Sequence, residues 1–275
     1  MGVLLLLAVW PSSRSAAQQV APNRASAYLF TTDVKDVRAI WVNPAGLGVA
    51  REASVYAEAS VGDPGSTGKL RQVNAGFNAR GLAFGWQHDV LDDGVHGNTY
   101  RLGFAGGSGG LGAGLAIARY TGGGGKGTGW DIGVTYLALP SLTVGLVGAN
   151  IGEPMVRGIE QHFTMVPGLT WRPVSALRFS TDARAVPDSS STYTLGLSAY
   201  AFGLSWTSGT GKWPLGILAR LDTDGNLRRG AFTFGLSIGD QDRIGLMTTT
   251  PGDISNVDAV SLYGVSSRQP GPGRR

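Results

Sequence analysis

From Ala53 to about Val265 the chain repeats one unit: roughly ten residues in which large apolar side chains alternate with small or polar ones, followed by a turn rich in Gly, Asp, Asn or Pro. Val73, Ala75, Phe77 and Ala79 alternate with Asn74, Gly76 and Asn78. Leu82, Phe84 and Trp86 alternate with Ala83, Gly85 and Gln87, and Trp130, Ile132, Val134 and Tyr136 with Asp131, Gly133 and Thr135. Tyr193, Leu195 and Leu197, then Phe232, Phe234 and Leu236, continue the pattern. A period of two puts each set on its own face of a strand, so the repeat dictates an all-β ladder.

The two faces decide the solvent. A soluble sandwich would press its apolar faces together and present the polar faces to water, with about 25–35% of that surface charged. Only 15% of this chain is charged, while 44 of its 275 residues are glycine. A transmembrane barrel reverses the arrangement, with the bulky face in lipid and the small polar face around a lumen. The predicted fold is therefore an all-β transmembrane antiparallel barrel. Its partner is outer-membrane lipid, and its location is the outer membrane of a Gram-negative-type bacterium. No apolar run approaches the ~18 residues of a membrane helix. The formal charge of +4 is too small to point to nucleic acid. With no Cys, disulfides cannot be the staple.

Connections alternate in length, short at Arg80-Gly81, Gly107–Gly110, Leu139–Ser141 and Pro173-Val174, longer at Gly62–Gly68, Leu91–Asn98, Thr121–Thr128, Asn150–His162 and Val186–Ser191. Short periplasmic turns and long outer loops produce such alternation. Tyr100, Trp130, Tyr193, Trp206 and Trp213 are expected on the long-loop side, and Tyr136, Trp171 and Tyr200 on the short-turn side, as two aromatic girdles. Residues 53–266 at roughly 15 per strand and connection give about 14 strands, with 12 to 16 as the range. Counting strand by strand gives fifteen, an odd number that would separate the termini. The junction Ser198–Phe202, where the alternation changes phase, and the segment after Pro251 are the weakest boundaries.

Three further segments flank the ladder. Val3–Trp10 followed by Ser15-Ala16-Ala17 reads as a secretory signal over residues 1–17. Residues 18–52 form a separate N-terminal segment, and 267–275 a disordered tail. Within the N-terminal segment, Val34, Val37, Ile40 and Trp41 recur at helical spacing behind a cap at Thr32 or Asp33, stopping at Asn43-Pro44.

The run Ala39-Ile40-Trp41-Val42-Asn43-Pro44-Ala45-Gly46-Leu47, placed just before the first strand, resembles the N-terminal hatch motif of FadL-type outer-membrane transporters of long-chain fatty acids and other hydrophobic compounds. The resemblance implies a 14-stranded barrel closed by this segment, with Asn43, Pro44, Ala45 and Gly46 in the hatch or gate. It also implies passive uptake of a hydrophobic small molecule, with no enzymatic step and no cofactor. PorV-like secretion-associated barrels are similar in the same region. They supply the alternative, a non-transporting scaffold with a protein partner at the outer loops. The chain departs from the family in its modest loops and in ending on Ser267–Gly271 rather than on an aromatic. Recognition by the barrel-assembly machinery then falls to Tyr263 as a displaced signal.

Arg101, Asp131, Arg178, Asp182, Arg220 and Asp222 take the lumen phase, where they could meet a ligand carboxylate, hold the hatch, or brace the wall as ion pairs. A glycine column shares that phase: Gly76, Gly85, Gly103, Gly114, Gly133, Gly145, Gly196, Gly203, Gly216, Gly235 and Gly245. It either keeps the lumen clear for another backbone or ligand, or serves the curvature of a tight barrel. Gly68-Lys69, Gly125-Lys126 and Gly211-Lys212 complete no phosphate loop. His88, His96 and His162 are too few and scattered to predict a metal site. Asp92-Asp93-Gly94 reads as a turn, and no Ser–His pair can be assigned for a lipase.

Overall fold

The computed structural model describes residues 28–50, 52–62, 68–90, 95–123, 125–156, 158–187, 195–209, 213–251 and 257–269. The signal segment 1–17, residues 18–27, Asp92-Asp93-Gly94, Tyr193, Gly211-Lys212 and residues 270–275 lie outside the described residues. The strands are β1 (Ala53–Gly62), β2 (Lys69–Ala79), β3 (Leu82–Val90), β4 (His96–Ser108), β5 (Leu111–Gly122), β6 (Gly127–Leu139) and β7 (Leu142–Ile151). A small outer hairpin follows, β8 (Met155–Val156) and β9 (Ile159–Glu160). The chain continues with β10 (Thr164–Val174), β11 (Leu177–Pro187), β12 (Leu195–Thr207), β13 (Leu215–Asp224), β14 (Arg229–Ile238), β15 (Asp242–Pro251) and β16 (Ala259–Arg268).

Fourteen of these close into an antiparallel barrel, each paired with its sequence neighbour, β7 with β10 past the hairpin, and β16 with β1. The closing register runs from Ala53 opposite Arg268 to Gly62 opposite Ala259. Closure removes both edges, as hydrocarbon requires of any spanning sheet. The alternation places its two sets as expected. Phe104, Ile132, Trp171, Leu204 and Leu246 point outward and are exposed, whereas Asn74, Gln87, Arg101, Asp131, Thr170 and Arg220 are buried inside. Only lipid can accept that outer face, so the protein is an outer-membrane barrel.

The strand count is fourteen because the phase change near Ser198 is not a strand end. Arg184 faces Ala199 and Ala185 faces Leu197, so Ser198 is the extra residue of a β-bulge within one strand. The segment after Pro251 leads into β16, which completes the wall. Reading the bulge as a strand end reverses every later strand, and this overturns part of the girdle assignment. Trp206, opposite Leu177, and Trp213, just before β13, lie at the short-turn end. Tyr200, opposite Thr223, lies nearer the long-loop end. Tyr263 also departs from expectation. It faces the lumen, is 3% exposed and stacks on Tyr28, so it presents no aromatic to lipid.

Candidate functional site

Residues 28–50 lie inside the barrel, where Ile40, Leu47, Val37 and Asn43 are fully buried. The expected helix is one short 3-10 turn, Val37–Trp41, followed by a single α turn, Gly46–Val49. Its cap is Asp36, which accepts the Arg38 N–H, rather than Thr32 or Asp33. Both alternatives are engaged elsewhere. Thr32 Oγ1 meets Thr170 Oγ1 at 2.7 Å, and Asp33 holds Arg178 at 2.9 Å and Arg172 at 3.2 Å.

The Asn43-Pro44-Ala45-Gly46 turn is built around the Asn43 amide. Its Nδ2 donates to the Thr31 carbonyl at 2.9 Å and to the Val134 carbonyl of β6 at 3.3 Å, while its Oδ1 accepts the Ala45 N–H at 3.1 Å. One side chain therefore ties the turn to itself and to the wall. Gly46 sits against the Val34 carbonyl oxygen, so closely that a side chain there would overlap it.

The charges singled out in the lumen all engage this segment or one another. Arg101 pairs with Asp131, donates to the Ile40 carbonyl at 3.0 Å and lies 5.3 Å over the Trp41 ring. Asp182 accepts the Thr31 N–H at 3.1 Å and the Thr31 hydroxyl at 2.7 Å. Arg220 donates to the Leu29 carbonyl, pairs with Asp222 at 2.7 Å and covers the Phe30 ring at 4.6 Å. Arg178 holds Asp33. Around the remaining circumference Ser54 accepts the Val37 N–H at 2.9 Å, and Asn78 donates to the Leu47 carbonyl at 3.3 Å.

The glycine column explains how the segment fits so closely. A β-carbon on Gly76 would lie 3.1 Å from Val37, on Gly85 2.8 Å from Trp41 and on Gly103 2.9 Å from Leu47; Gly114, Gly133, Gly145 and Gly203 are covered by Pro44, Asn43, Thr32 and Phe30. Gly216, Gly235 and Gly245 instead accommodate Ser237, Met247 and Tyr263, and Gly196 meets nothing. For most of the column, close packing of the lumen segment is the operative reason, through its side chains except at Gly114, where the Pro44 backbone approaches.

Several contributors went unrecognised in the sequence. Thr31, Asp36 and Arg38 carry no periodicity that marks them, and Thr32 and Asp33 stand out only as candidate caps. Asp36 pairs with Arg38 at 2.6 Å, and Arg38 donates to the Tyr28 hydroxyl at 3.1 Å, which in turn donates to Glu58 at 3.3 Å. Burial raises the proton affinity of Asp33, but Arg178 and Arg172 more than offset it and hold the carboxyl below its ordinary value. At the outer end, Glu153, Glu160 and His162 place three ligand-type atoms within 4.8 Å of one another, all solvent-exposed. Below the segment, toward the short turns, lies a polar vestibule of about 430 Å³.

No protein-family model and no curated protein sequence matches the chain. Solved structures do. The toluene transporter TbuX of Ralstonia pickettii aligns at TM-score 0.54 and 14% identity, over 84% of this chain and 93% of that one. The P. putida toluene transporter TodX aligns at 0.54 and 10%, over 86% and 94%. A bacterial polysaccharide outer-membrane secretin aligns at 0.50 and 11%, over 80% and 99%. At these identities the likeness is one of architecture, and the chain shares the closed antiparallel barrel fold of these outer-membrane proteins.

Proposed function

We propose that the protein is an outer-membrane channel for passive uptake of hydrophobic small molecules, long-chain fatty acids among the candidates, gated by the segment that fills its lumen. The observation that carries this reading is how that segment is held. It adds no strand to the wall, whose ladder is complete without it. Its ties are side-chain hydrogen bonds, ion pairs and the packing of Val37, Ile40, Trp41 and Leu47 among lumen side chains, individually worth about 0.5–3 kcal/mol and none of them a strand ladder. The segment can therefore shift without opening the barrel, which is what a gate needs and a structural strand cannot do. The TbuX and TodX barrels, named for toluene, make a hydrophobic cargo the natural first choice. A second reading, a non-transporting scaffold that binds a protein at its outer loops, is favoured by the pairing of Arg101 with Asp131 and of Arg220 with Asp222, which occupies those charges without a ligand.

A reversible lock tests the proposal. The Thr32 and Thr170 hydroxyls are 2.7 Å apart and the chain has no cysteine, so a Thr32→Cys, Thr170→Cys pair can form a single defined disulfide. In proteoliposomes the wild type should admit a labelled fatty acid or toluene. The oxidised variant should admit neither, and reduction should restore uptake. No protein-dependent uptake in wild type, together with a stable co-purifying partner, supports the scaffold instead.

A further inference from the structure

The vestibule of about 430 Å³ beneath the segment has the size of a small-molecule site and opens at the short-turn end, which faces the periplasm in outer-membrane barrels. Its charges are unevenly placed. On one side Asp36 is shared by Arg38 at 2.6 Å and Arg243 at 3.5 Å, and Asp240 lies on the lining, so two cations and two carboxylates balance there. On the other side Asp33 and Glu52 are the carboxylates beside Arg172, Arg178 and Lys35. Three cations around two carboxylates leave one positive charge uncompensated. Lys35 registers this: burial first, then Arg172 and Arg178, against relief from Asp33 and Glu52, hold its ammonium below its ordinary value. The Arg172 Nε is buried without a hydrogen-bond partner.

We propose that the Lys35, Arg172 and Arg178 end of this vestibule is a binding site for a small oxyanion, a phosphate or carboxylate group entering from the periplasm, and that its occupancy clamps the lumen segment to the wall. The clamp follows from where the cations sit. Lys35 belongs to the segment, Arg172 to β10 and Arg178 to β11, so an anion held by all three bridges the mobile part and the fixed part. Charge-assisted contacts to guanidinium groups suit phosphate and carboxylate geometry. The predominantly polar lining favours a water-soluble anion over an amphiphile. The proposal rests on the channel reading only for the consequence of the clamp; binding itself does not require transport.

Calorimetry on the folded protein in non-ionic detergent, at constant ionic strength set with chloride, tests it with inorganic phosphate, octanoate and octanol as probes. Phosphate should bind saturably and raise the unfolding midpoint in step with its occupancy. Lys35→Gln and Arg172→Gln should each weaken binding about tenfold, the loss expected for one charge-assisted hydrogen bond. Both variants keep the Asp33–Arg178 pair, and heat-modified gel mobility verifies folding for each separately. Octanoate binding more tightly than phosphate, with octanol weak, supports the oxyanion site and identifies its source as an amphiphile headgroup. Absence of saturable phosphate and octanoate binding, equal binding of octanol and octanoate, or undiminished affinity in a folded variant overturns the site. Transport in liposomes is unaffected by any of these failures, so the channel proposal stands or falls separately.

Discussion

The side-chain oxygen of Asn43 occupies the space that a β-carbon on Gly133 would fill. A glycine on β6 and an amide in the lumen segment thus form one fitted contact, reinforced by the Asn43 bond to the Val134 carbonyl next along the strand. Gly133→Ala should unseat the Asn43 turn and destabilise the protein by about 1–3 kcal/mol, the range for overpacking a fitted site. Gly196→Ala, where nothing lies nearby, should stay within about 0.5 kcal/mol. Urea unfolding in detergent compares the two, and equal effects would show that the contact does not matter.

Arg101 and Asp131 are both buried, and each has a second duty, Arg101 to the Ile40 carbonyl and Asp131 to the Asn150 N–H at 2.9 Å. Removing one partner strands the other charge, so Arg101→Met should cost about 3–5 kcal/mol. Adding Asp131→Asn should recover part of that loss. A double-mutant cycle on unfolding free energy measures the coupling, and strictly additive losses would refute it.

The orientation of the wall makes its own demand. Ile132 lies mid-strand on the outer face and is 51% exposed, whereas Leu111, 53% exposed, sits beside the Gly109-Gly110 turn. If hydrocarbon covers this face, Ile132→Arg should cost about 2–4 kcal/mol and Leu111→Arg about 0–1 kcal/mol. Folding titrations into lipid vesicles read this difference. Equal tolerance at the two positions would mean water, not lipid, covers the surface.

Acid should loosen the segment through Asp33. Its carboxyl is held below the unfolded value of about 3.9, so its contribution to stability is complete above that value and is lost as pH falls from there through the folded one. Asp36, held low by Arg38 and Arg243 against the effect of burial, acts in the same window. Hydrogen exchange over residues 32–37, after correction for intrinsic rates, should therefore accelerate below about pH 4. Asp33→Asn should raise exchange already at neutral pH and flatten the acid response.

The period-two alternation determined the wall by itself. Each strand reports its own faces locally, and the poverty of charge on the polar face leaves lipid as the outer solvent, which in turn compels closure. Residues such as Phe84, Ile132 and Phe234 therefore declared their environment within a few neighbours. The bulge at Ser198 escaped because one unpaired residue and a strand end look alike in a linear pattern; only its pairing with β11 separates them, and with it the side on which Trp206 and Trp213 lie. The lumen was legible only in outline. The glycine column allowed either close approach or curvature, and Arg101, Asp182 and Arg220 allowed a ligand, a hatch or a brace, since nothing local distinguishes them. Thr31 meets Asp182 across 151 residues of chain. Such partnerships exist only after the barrel has closed around the segment, because the distance between those groups is set by the curvature of the whole sheet and by no property of the residues beside them.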